Sequence, residues 1–148
     1  MPSPDGLGTP RNGFLLEEHV GFLLRRAHQR HVALFLDAGE AVSLTPTQFA
    51  ALYKAVEVGR VTQNLLGRQT AMDPATIQGV VRRLTLRGLL KRTRDPMDRR
   101  TAVLAPTEAG VALIARAVAC AQRAHDAALA PLNAKERGQL LTLLRRLA

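Results

Sequence analysis

The sequence predicts a mainly α chain carrying one small β-hairpin, with the hairpin set directly before a long helix. Three observations predict this class. The stretch "DPATIQGVVRRLTLRG" has an N-cap, a proline at the first helical position and a glycine stop. Two short runs, "LLKRTR" and "TAVLAP", flank the turn-forming "DPMDRR". The remaining long segments repeat apolar residues at the helical period.

Composition narrows the chemistry. A chain of 148 residues fits one domain, or one domain with an extension, and can bury a core. Trp is absent and Phe and Tyr number 4 and 1, so Leu, Val and Ala must fill that core. Lys and Arg total 21 against 12 Asp and Glu, a formal charge of +9 with a pI near 11.3, which favours polyanionic partners. Charge alone does not separate DNA from RNA or an anionic membrane. The single cysteine, Cys120, excludes an internal disulfide, and neither a signal peptide nor a long apolar run is present, so the expectation is a cytoplasmic chain without membrane association.

In chain order, "MPSPDGLGTPRNG" (1–13) is rich in Pro and Gly without periodicity and reads as a flexible arm. From about Leu15 to Ala38, Leu16, Val20, Leu24, Ala27 and Phe35 recur at helical spacing, and Gly39 marks a stop. In "SLTPTQFAALYKAVE" Thr45 caps a second helix, Pro46 takes its first position and Gln48 completes a capping pair, with Leu52 and Val56 pointing inward. "VTQNLLGRQT" is a short third helix with Thr62 as cap and Leu65 and Leu66 as its apolar side.

The fourth helix opens at Asp73 and Pro74 and stops at Gly88. At 100° per residue Ile77, Val80, Val81 and Leu84 share one face, leaving Ala75, Gln78, Gly79, Arg82, Arg83 and Leu86 around the other. A short helix, a tight turn and a second helix whose outward side is small at its start and cationic later make a helix-turn-helix, since that second helix must enter a groove about 12 Å wide. Gly79 allows close approach to base edges. A hairpin directly after it makes a wing, whose Arg99 and Arg100 reach a neighbouring minor groove. Asp98 repels phosphate, so its expected work is to hold an arginine or a backbone amide and shape the loop. The candidate DNA contacts are therefore Ala75, Thr76, Gln78, Gly79, Arg82 and Arg83, joined by Thr47, Gln63, Arg99 and Arg100. The expected partner is double-stranded DNA.

These residues carry a resemblance. "LTPTQFAAL" and "MDPATIQGVVRRLTLRGLLKRTRDPMDRRTAVLAPTEAG" together resemble the MarR family of bacterial winged-helix transcription regulators, with its Leu-Thr near the second helix, Asp-Arg-Arg wing and Thr-x-x-Gly opening a long helix. One departure is Ala105-Pro106-Thr107 where the family's wing ends in Leu-Thr, so Pro106 is expected to end the strand early. The resemblance implies a first dimerisation helix over 14–39, a winged helix-turn-helix over 43–106 and C-terminal dimerisation helices over 107–148. The capping-box-like "NAKE" at Asn133 and the stripe Leu140, Leu141, Leu143, Leu144 and Leu147 agree with a last helix that seeks a partner. A two-fold homodimer on a pseudo-palindromic operator follows from the family's habit.

The family also implies a small phenolic or aromatic carboxylate effector, with the first helix as one wall of its site. "DPATIQGVVRRL" is similar to members that control breakdown of aromatic or N-heteroaromatic acids. His28 and His31 lie on the apolar face of that helix and are the candidate ligand contacts, against the plainer alternative of hydrogen-bonded interface residues. Their i, i+3 spacing permits metal ligation, yet no further ligand joins them, so neither metal nor cofactor is expected. Cys120 reads as packing. His125 and Asp126 form no triad without an activated nucleophile, which argues against an enzyme. The alternative function is a non-sequence-specific, architectural nucleic-acid-binding protein.

Overall fold

A computed structural model describes residues 13–148; of the arm expected over 1–13, only Gly13 falls among them. A 3-10 turn, Leu16–Glu18, precedes α1 (Val20–Ala38), α2 (Pro46–Val58), α3 (Gln63–Gln69), α4 (Pro74–Leu86), β1 (Leu90–Arg94), β2 (Ala102–Pro106), α5 (Glu108–Leu129) and α6 (Ala134–Leu147). The first helix starts later than its periodicity predicts. His19 is extended, with ψ at 133°, so Leu15 and Leu16 leave the helical face and stand exposed.

The other helices begin where their caps place them. The Thr45 side chain accepts from the Gln48 amide while Gln48 Oε1 accepts from the Thr45 amide, both at 3.2 Å. Asn133 and Glu136 repeat this reciprocal pair at α6, while Thr62, Asp73 and Thr107 cap α3, α4 and α5 by accepting from the amide three residues on. α3 and α4 meet closely because Gly67 has no side chain: a Cβ there would lie 3.1 Å from Ile77 Cγ2 and 3.2 Å from the Met72 carbonyl. The turn between them passes through Ala71 in the left-handed region, φ 54°, and is held by the Met72 amide on the Gly67 carbonyl at 2.9 Å. Leu66 is buried and Leu65 is exposed, since a helix of 7 residues on one core turns only one of two consecutive leucines inward.

Ile77, Val80, Val81 and Leu84 all face the core, with Leu44, Leu52, Leu90 and Leu104 among the other fully enclosed side chains. The hairpin pairs Leu90 with Pro106 and Arg94 with Ala102, antiparallel. β2 thus ends on Pro106 itself. Val61 adds a single bridge to Leu104, exchanging hydrogen bonds of 3.0 and 2.7 Å, which fastens the hairpin to the chain entering α3.

The passage from wing to α5 is tighter still. Thr107 donates its hydroxyl to the Gly88 carbonyl at 2.6 Å and its amide to the Leu89 carbonyl at 3.1 Å, while its Oγ1 caps the Gly110 amide. A Cβ on Gly110 would stand 2.2 Å from the Leu89 carbonyl oxygen. Only glycine permits that crossing.

α1 and α5 pack along each other and trade caps at their C-terminal ends. Arg30 donates to the carbonyls of Ala128 and Ala127 at 2.7 and 3.0 Å, and Arg123 donates to the Ala38 carbonyl at 3.1 Å. Each guanidinium meets the negative pole of the opposite helix. Arg123 also donates to Cys120 Sγ at 3.3 Å, and Cys120 is buried. α6 buries no residue, and Leu143, Leu144 and Leu147 are exposed.

Two glycine substitutions should move stability in opposite directions. Gly110→Ala is expected to cost about 1–3 kcal/mol through the enforced backbone shift, seen as a melting temperature lower by roughly 3–10 °C. Gly79→Ala, where a Cβ meets nothing within 4 Å, is expected to stabilise the free protein by about 0.5–1 kcal/mol because alanine favours the helix. Thermal denaturation of both variants checks the pair.

Candidate nucleic-acid interface and aromatic cleft

The outward side of α4 is polar, cationic and solvent-facing. Ala75, Thr76, Gln78, Arg82 and Arg83 are exposed, and Gly79 leaves open space above the helix. Among the described residues the one ion pair is Lys54 with Glu57, so Arg82, Arg83, Arg99 and Arg100 meet no carboxylate. Thr76 is engaged: its amide and hydroxyl both donate to Asp73 at 2.8 Å. Those two bonds hold the Asp73 carboxyl below its usual range, the backbone donor first and the hydroxyl second. Thr47 is exposed in the first turn of α2, with its Oγ1 3.2 Å from that of Thr45. Gln63 is half-buried, and its Oε1 accepts from Arg92 Nη2 at 2.7 Å.

The wing tip is built on its two aspartates. Asp98 accepts from the Arg100 amide at 3.0 Å and from the Thr101 hydroxyl at 2.9 Å, and Asp95 accepts from the Met97 amide at 2.9 Å. The Asp95 amide donates to the Thr101 carbonyl at 2.9 Å and closes the loop. Arg99 and Arg100 are left exposed at the tip. The negative charges in this basic segment thus shape the turn from within. Recognition helix and wing border one concavity of about 440 Å³, walled by Thr62, Gln63, Asn64, Gln78, Arg92, Thr101 and Ala102.

A second cleft, about 400 Å³, opens between α1, α2 and α5, and its walls include His31, Phe35, Phe49, Tyr53, Gln122 and His125. Rings line it in succession: His31 to Phe35 at 6.2 Å, Phe35 to Phe49 at 5.5 Å, and Phe49 to Tyr53 at 5.8 Å between centroids. Burial first, then the neighbouring His28 and His125, push the His31 imidazole below its usual pKa. His28 does not line the cleft and is exposed, three residues nearer the start of α1 than His31. His125, Phe49 and Tyr53 are not among the ligand contacts expected from the sequence. The i, i+4 spacing of Phe49 and Tyr53 was a usable signal, whereas nothing local ties position 125 to position 31. Among the described residues no group of three or more His, Cys, Asp or Glu gathers to hold a metal ion.

Comparison with known proteins sets this geometry in a family. The sequence pattern of the MarR family matches residues 44–102. The chain is 41% identical to the HTH-type transcriptional repressor NicR of Pseudomonas putida, over 98% of this chain and 92% of that protein. Its fold superposes on Bordetella bronchiseptica BpsR, a structure described for regulation of DNA binding by 6-hydroxynicotinic acid, with TM-score 0.86 and 37% identity over 92% of this chain and 97% of that one. The transcriptional repressor CouR bound to a 23-mer DNA duplex gives TM-score 0.80 and 32% identity, over 89% of this chain and 94% of that one. With its capped α4, Asp98-shaped wing and glycine crossing at Gly110, this chain belongs to the MarR family of winged-helix transcription regulators.

Proposed function

We propose that the protein is a homodimeric, sequence-specific DNA-binding repressor released from a pseudo-palindromic operator by a small aromatic acid. The observation that carries the reading is the cationic surface that α4 and the wing present together, without ion pairs among the described residues, with Arg82 and Arg83 on one element and Arg99 and Arg100 on the other. A helix entering the major groove and a wing beside the minor groove use such a surface to read bases and grip phosphates. NicR, a repressor, BpsR, regulated by 6-hydroxynicotinic acid, and CouR, seen on DNA, lend support as relatives. The dimer is supported by α6, an amphipathic helix without a buried residue, and by exposed Val20, Leu23 and Leu24 on α1. No helix among the described residues is long and apolar enough to cross a membrane.

The effector site in this reading is the α1–α2–α5 cleft. Its rings suit a planar aromatic ligand, and His31 and His125 can donate to a carboxylate or hydroxyl. Because α2 is at once a wall of the cleft and packed against α4, a ligand that fits one α2 placement better than another biases recognition-helix spacing. Only that difference in affinity releases DNA. His28 does not line this cleft.

The experiment is a gel-shift comparison of the gene's own upstream DNA with scrambled DNA at fixed salt, with and without an aromatic acid. Preferential retardation of the upstream DNA, lost on adding the acid, is the expected result; equal retardation of both duplexes would leave only a non-specific binder. Arg82→Ala and Arg83→Ala should each weaken operator binding by about 1–3 kcal/mol where the guanidinium reads a guanine. Gly79→Ala should weaken it too, its gain in free-protein stability notwithstanding. Arg99→Ala should lower affinity across sequences and flatten its salt dependence. Wild-type affinity in all of these folded variants would remove this face from the interface.

The His31 shift gives a pH dependence of definite sign. A histidine whose folded pKa lies below its unfolded value binds more protons when unfolded, between those two values. The folded state is therefore penalised as pH falls through 6.5, and the penalty disappears above it. Melting temperature should drop on acidification from pH 7.5 to 5.5 by more in the wild type than in His31→Gln. An aromatic carboxylate in the cleft reverses the bias by stabilising the imidazolium, so binding should take up protons. Calorimetric binding heats that vary between buffers of different ionisation enthalpy would register that uptake.

A further inference from the structure

We propose that Arg92 and Gln63 form a clamp for a DNA backbone phosphate, seated in the concavity between recognition helix and wing. The inference rests on the operator-binding reading and adds to it a contact that belongs to neither the helix nor the wing tip. Arg92 lies on β1 opposite Leu104, and Leu104 is bridged in turn to Val61. This pairing carries the Arg92 guanidinium across the hairpin edge to α3, where Nη2 donates to Gln63 Oε1 at 2.7 Å. The bond uses one of five N–H groups and orients the plane, leaving the others for an outside acceptor. With its oxygen occupied, the Gln63 amide presents its Nε2 donor beside the guanidinium.

The surroundings fit an acceptor-only ligand. Thr62, Asn64 and Gln78 share the walls of the roughly 440 Å³ concavity, all can donate hydrogen bonds, and no carboxylate is among the lining residues; the Thr101 hydroxyl, also on the wall, is spent on Asp98. Position gives the second reason. Major and minor grooves are separated by a sugar-phosphate strand, so a protein that places a helix in one and a wing in the other must straddle that strand. The hollow between α4 and the hairpin is where it passes. Arg92 is exposed there and has no ion-pair partner among the described residues.

The test is operator affinity as a function of salt for the full-length protein and its Arg92→Ala and Arg92→Lys variants, on operator and scrambled DNA, with melting temperatures alongside. A lost phosphate contact makes the slope of log affinity against log salt shallower by about 0.9 per half-site. Arg92→Ala should show that change, with affinity falling by the same factor on both duplexes so that discrimination between them is kept. Arg92→Lys should retain the wild-type slope. An Arg92→Ala variant with the wild-type slope overturns the clamp, whether or not its melting temperature falls, because Arg92 would then only tie the hairpin to α3. Specific binding by the unsubstituted protein with that unchanged slope ends this inference alone, whereas no preference for operator by the unsubstituted protein ends the operator reading and the clamp with it.

Discussion

The crossing of Gly110 over the Leu89 backbone is the constraint on which the rest of the molecule depends. A Cβ would stand 2.2 Å from the Leu89 oxygen, and Thr107 locks the same corner with bonds to the Gly88 and Leu89 carbonyls. At this point the hairpin ends, the long α5 begins and the exit of α4 is held. Through it the direction of α5 is set relative to the recognition helix. Displacing the corner would tilt the long helix against the DNA-facing unit, since packed backbone at such distances has no slack to absorb the change.

Charge is distributed with a consistent logic. Arginines that build the molecule are consumed by carbonyls: Arg30 and Arg123 cap the α1–α5 pair, and Arg87 donates to Ser43 and Val42 at 2.7 and 3.2 Å, tying the end of α4 to the loop before α2. Those on α4 and the wing tip meet no carboxylate among the described residues. Asp95 and Asp98 are turned into the loop, where their oxygens accept backbone and hydroxyl protons. The carboxylates of the wing thereby shape its turn and, among the described residues, form no ion pair with the arginines on the face proposed for DNA.

The cleft and the DNA face meet in α2. Phe49 and Tyr53 stand on its cleft side, while Ala51, Leu52 and Ala55 are buried in the core shared with α4. A ligand pressing on the ring ladder acts on a helix whose opposite side positions the recognition helix. This gives the proposed release a rigid mechanical route. In the same cleft His31 is made less basic by burial and by its imidazole neighbours, which favours its neutral, hydrogen-bonding form.

Elements that short-range chemistry controls are legible along the chain. Thr45, Thr62, Asp73, Thr107 and Asn133 announce helix starts because a side-chain oxygen can satisfy an orphan amide three residues on, whatever surrounds it. Periodicity found the buried face of α4, and the turn chemistry around Asp95 and Asp98 marked the hairpin. It misjudged the start of α1, where apolar spacing continues through Leu15 and Leu16 but the backbone turns out at His19. Which histidine lines the cleft depends on long-range packing, which brings His125 to His31, leaves His28 outside, and joins Arg92 to Gln63, 29 residues apart. The physical reason is the same in both cases. A cap or a period is a relation between residues a few positions apart, whereas a cleft is made where elements distant in the chain pack, at angles that the Gly110 crossing and the reciprocal arginine caps impose.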